Sequence, residues 1–297
     1  MKILIAYDGS DGAKAAITDL ASAGLPEKTA AVVMVACDVP SGLLDGSVTA
    51  GDPPPAFLAR ARAGARSDMA AAEERAREGA KLVSDLFPAW QVSSEAVADS
   101  PYWAFVNGAS RVQAGLVVVG SRGRSAIEAT FLGSVSHNVL HYAPCPVRIG
   151  RASESARVGE PARLLIGFDG SPAAERAVTW VAGRSWPEGS HARIVTAAHG
   201  RTLWKLIAEG FDYEVPPMVE KAAVHLRAAG LDVSTAIRDD DPKHALVDEA
   251  RRWGAHCIFT GARGLGGMTG VLLGSVSAAV AARAHCSVEV VRAAPAA

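Results

Sequence analysis

The sequence is short of cysteine, of aromatic residues and of net charge. Its four cysteines, Cys37, Cys145, Cys257 and Cys286, form no CxxC and no closely spaced set with histidine. Neither a disulfide scaffold nor a zinc site is expected. Aromatics are 6% of the 297 residues, which leaves few platforms for stacked single-stranded bases. Lys and Arg number 30 against 31 Asp and Glu, a net charge of -1, so a nucleic-acid partner or an acidic tail is not indicated. No apolar run approaches the roughly 18 residues of a membrane span. The opening MKILIAYDGS has one basic residue and an apolar run too short for a secretory signal. These absences point to a soluble, cytoplasmic protein with reduced thiols and no membrane partner. What is plentiful is apolar material, 49%, and glycine, 29 residues. At roughly 150 residues per domain the length suits two domains, each with its own core.

The chain repeats itself. Lys2–Ala16 (KILIAYDGSDGAKAA) matches Arg163–Ala177 (RLLIGFDGSPAAERA), 161 positions on. Val92–Pro101, Val117–Gly123, Leu132–Ser136 and Cys145 match segments 141 positions on. The first copy therefore carries about 20 extra residues, which the Gly-, Pro- and Asp-rich stretch 38–55 would supply as an inserted loop. The polar segment around 152–161 reads as the linker between a first domain, 1–151, and a second, 162–297.

Each copy alternates short apolar runs with helical patterns. In the first, strands are expected at Lys2–Tyr7, Ala30–Ala36, Gln91–Val97, Leu116–Val119 and Pro146–Ile149. Ser10 should cap a helix from Asp11, a long Ala/Arg/Glu helix should run from Phe57 to Leu86, and Ser100-Pro101 and Asp241-Pro242 read as helix starts. The second copy repeats the plan. Continuous apolar strands joined by helices imply an α/β fold, two tandem doubly wound domains with parallel sheets covered on both faces.

The loop after the fourth strand carries the chemistry. It reads G-S-R-G-R-S-A-I-E-A-T-F-L-G-S from Gly120 to Ser134, and G-A-R-G-L-G-G-M-T-G-V-L-L-G-S from Gly261 to Ser275. Both fit G-x2-G-x9-G-S. Glycines let a backbone bend and bring several N–H groups close to an anion, and the last Gly-Ser opens a helix whose N-terminus favours negative charge. Arg122, Arg124 and Arg263 add positive charge. A bare turn is the plain alternative for a single G-x2-G; two clusters at fixed spacing, present twice, favour a phosphate site. Neither a Walker A loop nor a dinucleotide fingerprint is present.

Asp-Gly-Ser after strand 1 together with G-x2-G-x9-G-[ST] after strand 4, and the APCPV at Ala143–Val147, resembles the universal stress protein family in its tandem-domain, ATP-binding branch. The resemblance covers nearly the whole chain. It implies a five-stranded parallel sheet ordered 3-2-1-4-5 in each half, so that strands 1 and 4 meet at the switch point where ligands enter. It implies nucleotide contacts from Asp8, Ser10, Gly120, Ser121, Arg122, Gly123, Arg124, Gly133, Ser134, Val135 and Ser136 in the first half. In the second they come from Asp169, Ser171, Gly261, Arg263, Gly264, Gly274, Ser275, Val276 and Ser277. The aspartates would lie beside the adenosine and the loops would hold the phosphates, with hydroxyl or N–H donors from Ser134, Ser136, Ser275 and Ser277. Any Mg²⁺ would be held largely by the phosphates. The end of strand 2, which should meet the adenine, is Ala36-Cys37 in one copy and Ala198-His199 in the other. The two halves should pair as an intramolecular pseudo-twofold dimer near strand 5, with room for a further homodimer and an unknown protein partner.

No general base or nucleophile stands out beside the phosphate loop, so a non-enzymatic ATP-binding protein with slow hydrolysis at most is the leading reading. An ATP-hydrolysing or adenylyl-transfer enzyme would carry a HIGH-type or SGGxDS-type loop after strand 1, and AYDGSDG has neither. A nucleotide-free interaction module is the third reading. Leu265 stands where the first copy has Arg124, which predicts weaker triphosphate binding in the second half. Asp239-Asp240-Asp241 reads as a solvated loop with Asp241 as a helix cap, and His256 as a packing residue. Trp103, Trp180 and Trp253 read as core or interface, and Cys145 and Cys286 as buried, inert thiols.

Overall fold

A computed structural model describes residues 1–45, 47, 55–123, 132–152, 159–197, 217–264 and 273–292. Its first half runs β1 (Lys2–Ala6), α1 (Asp11–Asp19, continued by a 3₁₀ turn, Leu20–Ser22), β2 (Ala30–Cys37), α2 (Ser41–Asp45) and α3 (Pro55–Leu86). It continues through β3 (Gln91–Ala98), α4 (Pro101–Arg111), β4 (Leu116–Gly120), α5 (Ser134–Tyr142) and β5 (Val147–Gly150). The second half runs β6 (Arg163–Gly167), α6 (Pro172–Ala182), β7 (His191–Ala197), α7 (Pro217–Ala228) and β8 (Asp232–Arg238). Then come α8 (Pro242–Trp253), β9 (Cys257–Gly261), α9 (Ser275–Arg283) and β10 (Ser287–Val291).

The strands form a sheet in the order β3-β2-β1-β4-β5-β10-β9-β6-β7-β8. Every neighbouring pair within a half is parallel. Each half therefore has the order 3-2-1-4-5. The central strands β4, β5, β9 and β10 are buried along their whole length, which is why they read as apolar runs, broken in β5 and β10 by one charge each, Arg148 and Glu289. Helices α4, α5, α8 and α9 cover one face in a single core that crosses both halves. On the other face α1 and α3 cover the first half, and α6 and α7 the second. Each fully buried Val, Leu or Ile in these layers adds about 1.5–3 kcal/mol.

The stretch 38–55 is not wholly a loop. Ser41–Asp45 forms the short α2, which packs on α3, and Pro55 opens α3, a position proline favours. Residues 46 and 48–54 lie outside the described residues.

The two halves meet along β5 and β10, which pair antiparallel with Arg148 opposite Glu289. Both side chains are fully buried. Arg148 Nε donates to Asp19 Oδ2 at 2.7 Å, and its Nη1 donates to Glu289 Oε2 at 3.1 Å and to Cys257 Sγ at 3.3 Å. The other Glu289 oxygen accepts from the Trp180 indole and the Arg184 guanidinium. Burial opposes the charge on Arg148, yet Asp19, Cys257 and Glu289 hold its pKa well above the usual value. Burial likewise opposes ionised Glu289, but Arg184 and Arg148 hold its pKa below the carboxylate norm. A second pair of contacts spans the same junction. Arg151, just past β5, donates to the Cys286 and Ala281 carbonyls. Arg292, just past β10, donates to the Leu140 and His141 carbonyls. Each arginine thus meets at least one carbonyl in the last turn of the other half's helix, Ala281 for Arg151 and Leu140 and His141 for Arg292.

Candidate functional site

The turn after β1 explains its own sequence. Gly9 has φ +80° and Gly170 in the second copy has φ +76°, left-handed conformations that favour glycine. Asp8 Oδ1 accepts the Ser10 N–H at 2.9 Å, and Ser10 Oγ accepts the Ala13 N–H at 3.2 Å as the N-cap of α1. Asp169 and Ser171 repeat this at 3.0 and 3.2 Å, capping α6. Serine therefore caps the helix, and the aspartate sets the turn that presents its second oxygen outward.

That oxygen meets the loop after the fourth strand. A β-carbon on Gly123 would stand 2.9 Å from Asp8 Oδ2, and one on Gly264 would stand 2.5 Å from Asp169 Oδ2. Glycine is thus needed where carboxylate and loop converge. Gly120 and Gly261 end β4 and β9 beneath the first turns of α1 and α6, where a β-carbon would fall 2.7 Å from the Gly12 carbonyl carbon and 2.5 Å from that of Ala173.

The two ends of each glycine loop are held together. The Gly133 N–H donates to the Ser121 carbonyl at 2.9 Å, and the Gly274 N–H to the Ala262 carbonyl at 2.7 Å. Gly133 and Gly274 are N-caps without a side-chain acceptor. The first N–H groups of α5 (Ser134, Val135, Ser136) and of α9 (Ser275, Val276, Ser277) therefore have no intrahelical partner and can serve an anion. Of the hydroxyl or N–H donors expected here, two hydroxyls are already engaged. Ser136 Oγ donates to the Gly120 carbonyl at 2.6 Å and Ser277 Oγ to the Gly261 carbonyl at 2.7 Å. Those protons fasten the helix start to the strand end, so Ser136 and Ser277 have only their N–H groups left to offer. Ser134, Ser275, Arg122 and Arg263 are exposed at the rim. Arg124 and Leu265 lie outside the described residues.

In the second half these parts enclose a crevice of about 450 Å³, within the range of small-molecule sites. Asp169, Arg263, Gly264 and the start of α9 form its polar side; Phe168, Val195, Ala197 and Leu246 form its apolar side. Thr260, also in the lining, is buried with a hydroxyl oxygen that has no hydrogen-bond partner among the described residues. Sequence reasoning missed Thr260 and the apolar wall. The wall's signal was faint, because Val195 and Leu246 are ordinary core residues until the sheet order brings β7 and α8 beside β9. Ala197 stands one residue before the Ala198-His199 pair expected to meet the adenine, and that pair lies outside the described residues.

The sequence profile of the universal stress protein family matches residues 1–151 and again residues 162–292. The chain belongs to the universal stress protein family. It is 34% identical over 212 residues to a universal stress protein of Mycobacterium tuberculosis, a match covering 68% of this chain and 69% of that one. It is 33% identical over 189 residues to one of Mycolicibacterium smegmatis, covering 60% of this chain and 61% of that relative's length. Its fold resembles the crystal structure of a universal stress protein from Archaeoglobus fulgidus, with a TM-score of 0.67, 21% identity and 98% of each chain covered. This similarity speaks to architecture: two universal stress protein units, joined here through β5 and β10.

The remaining singled-out residues of this universal stress protein have structural roles. Asp241 caps α8 by accepting the Lys243 N–H at 2.8 Å. His256 Nδ1 accepts the Arg163 N–H at 3.3 Å, and burial followed by the Arg163 charge lowers its pKa. Cys145 and Cys286 are buried, and burial pushes their thiols up to about 11 and about 12. Trp180 lies at the junction between halves, and Trp253 packs under Arg193. Trp103, expected in the core or at an interface, is not in the core: it is 42% exposed and packs with Tyr102 and Tyr142 on the surface of α4 and α5. Among the described residues no helix is long and apolar enough to cross a membrane.

Proposed function

We propose that the two crevices bind adenine nucleotides, ATP foremost, and that occupancy regulates a stress-response protein contact and does not drive fast turnover. The observation that carries the reading is the pairing of Asp169 with Gly264, beside the N–H groups opening α9 that have no intrahelical partner, around an apolar crevice of about 450 Å³. Amides at a helix start suit a phosphate, and the apolar wall suits a base. The orphaned Thr260 hydroxyl adds a buried polar group that a ligand could satisfy. The Asp8 and Gly123 pair repeats the carboxylate-to-loop geometry in the first half.

Slow hydrolysis at most is part of this reading. Asp169 is the one acid among the described residues lining the second crevice, and its Oδ1 is engaged by the Ser171 N–H. Any Mg²⁺ accompanying the nucleotide would be held mainly by its phosphates. In this reading nucleotide occupancy biases a partner contact.

The test is mass spectrometry of the protein purified under native conditions and then denatured. Adenine nucleotide released at up to two equivalents is expected. A nucleotide-free protein that also fails to bind added ATP overturns the reading. A measured turnover of about 1 per second or more would overturn its non-enzymatic part.

A further inference from the structure

A groove of about 1570 Å³ runs between the halves and is lined by Gly9 and Ser10 of the turn after β1 and by Ser121, Arg122 and Gly123 of the first half's candidate phosphate loop. Its opposite wall comes from the second half: Arg251 at the end of α8, Arg283 at the end of α9, and His285. Arg122, Arg151 and His137 face them from the first half, and Asp11 is the single carboxylate among the lining residues. Among the described residues Arg122 and Arg251 pair with no carboxylate, while Arg283 meets the His244 ring nitrogen at 3.1 Å. Like charges gathered in this way repel unless an anion joins them. The repulsion registers on His285. Burial and then the Arg251 and Arg151 charges lower the pKa of His285.

The two halves differ here. Counting back 141 positions, Arg251, Arg283 and His285 correspond to Ser110, Tyr142 and Pro144. The first half therefore cannot return the same cations to the second half's loop. The duplication is symmetric in its glycine loops and asymmetric in the charges that face them across the junction.

We propose that this groove receives the distal phosphates of a nucleotide held by the first half, with Arg251 and Arg283 of the second half as their ligands. The inference rests on the nucleotide reading above and deepens it, because it assigns the first site to nucleoside triphosphates or longer phosphate chains. The second site, without such cations, then has little preference for chain length. A tail spanning the groove contacts both halves, so binding in the first site reports on how the halves sit together.

The test is calorimetry on the full chain and on its Arg251→Gln/Arg283→Gln variant, with ATP, AMP and inorganic tripolyphosphate as probes. Both arginines are exposed at helix ends, so the variant should keep the parent's fold, which its melting curve will confirm. Expected is a loss of at least tenfold in ATP affinity at one of two sites, unchanged AMP affinity, and loss of tripolyphosphate binding. The parent supplies a second measurement, with affinity rising from AMP to ATP at one site and flat at the other. If ATP binds both proteins alike at both sites, the groove assignment is overturned and the nucleotide reading stands. If no nucleotide binds but tripolyphosphate does, and the variant loses it, the nucleotide reading falls and the groove stands as a phosphate-chain site. If nothing binds, both fall.

Discussion

Replacing Arg148 with Met should loosen the junction that places the two halves. The arginine has no exposed surface and makes polar contacts to Asp19, Glu289 and Cys257. Glu289 would keep Arg184 and Trp180. Asp19 would be left buried without its cation, since Arg148 is its sole ion-pair partner among the described residues. Breaking a buried pair in this way costs about 3–5 kcal/mol, whereas replacing the whole pair with apolar groups is often close to neutral. At about 2–4 °C per kcal/mol for chains of this size class, the single variant should melt roughly 6–20 °C below the parent. The Asp19→Leu/Arg148→Met double variant should recover part of that loss, because it removes the stranded charge, and the cycle should show a coupling of about 0.5–3 kcal/mol. Differential scanning calorimetry of the four proteins measures all of this. A melting temperature for Arg148→Met within 1 °C or so of the parent refutes the reasoning, as does a double variant that loses the sum of the single losses.

Three further outcomes are expected. Gly123→Asp and Gly264→Asp each add a second carboxylate against Asp8 or Asp169, so each should abolish nucleotide binding in its own half; titration of the remaining site should find the Gly264→Asp protein the tighter ATP binder, and equal affinities would reject the asymmetry between halves. Cys145 and Cys286, with thiols raised to about 11 and about 12 by burial, should resist Ellman's reagent at pH 8 in the native protein and react fully in denaturant; prompt native labelling of either would contradict their burial. Glu289, its folded pKa held below the unfolded value by Arg184 and Arg148, contributes stability above the unfolded carboxylate pKa that fades as pH falls through the folded one. The melting temperature of Glu289→Gln should accordingly start lower and fall less steeply than the parent's below about pH 4.5, and parallel slopes would show that Glu289 carries no such linkage.

Much of this architecture was legible because the chain states it twice. Strands and helix starts could be placed by comparing copies, and Asp-Gly-Ser announced a turn that the left-handed Gly9 and Gly170 and the Ser10 and Ser171 caps now account for. The glycine loops were visible for the same reason. What escaped depends on residues far apart in sequence. Arg148 and Glu289 are lone charges inside apolar strands, 141 positions apart and opposite in sign, and that pattern could have flagged a charge-paired junction. Ser136 and Ser277 looked like free hydroxyl donors, because only the folded helix start brings them against the strand-end carbonyls. The helix in 41–45 was hidden by a Gly-, Pro- and Asp-rich neighbourhood, and it persists because it packs on α3. Arg251 and Arg283 carry no signal in the sequence, because only the folded junction brings them to one groove with the other half's loop.

The most direct measurement is equilibrium titration of ATP into protein stripped of endogenous nucleotide. Two binding events, one removed by Gly123→Asp and the other by Gly264→Asp, are the predicted result. Saturable binding that survives both substitutions together, or no binding at all, would place the ligand elsewhere or nowhere and contradict the paired-crevice account.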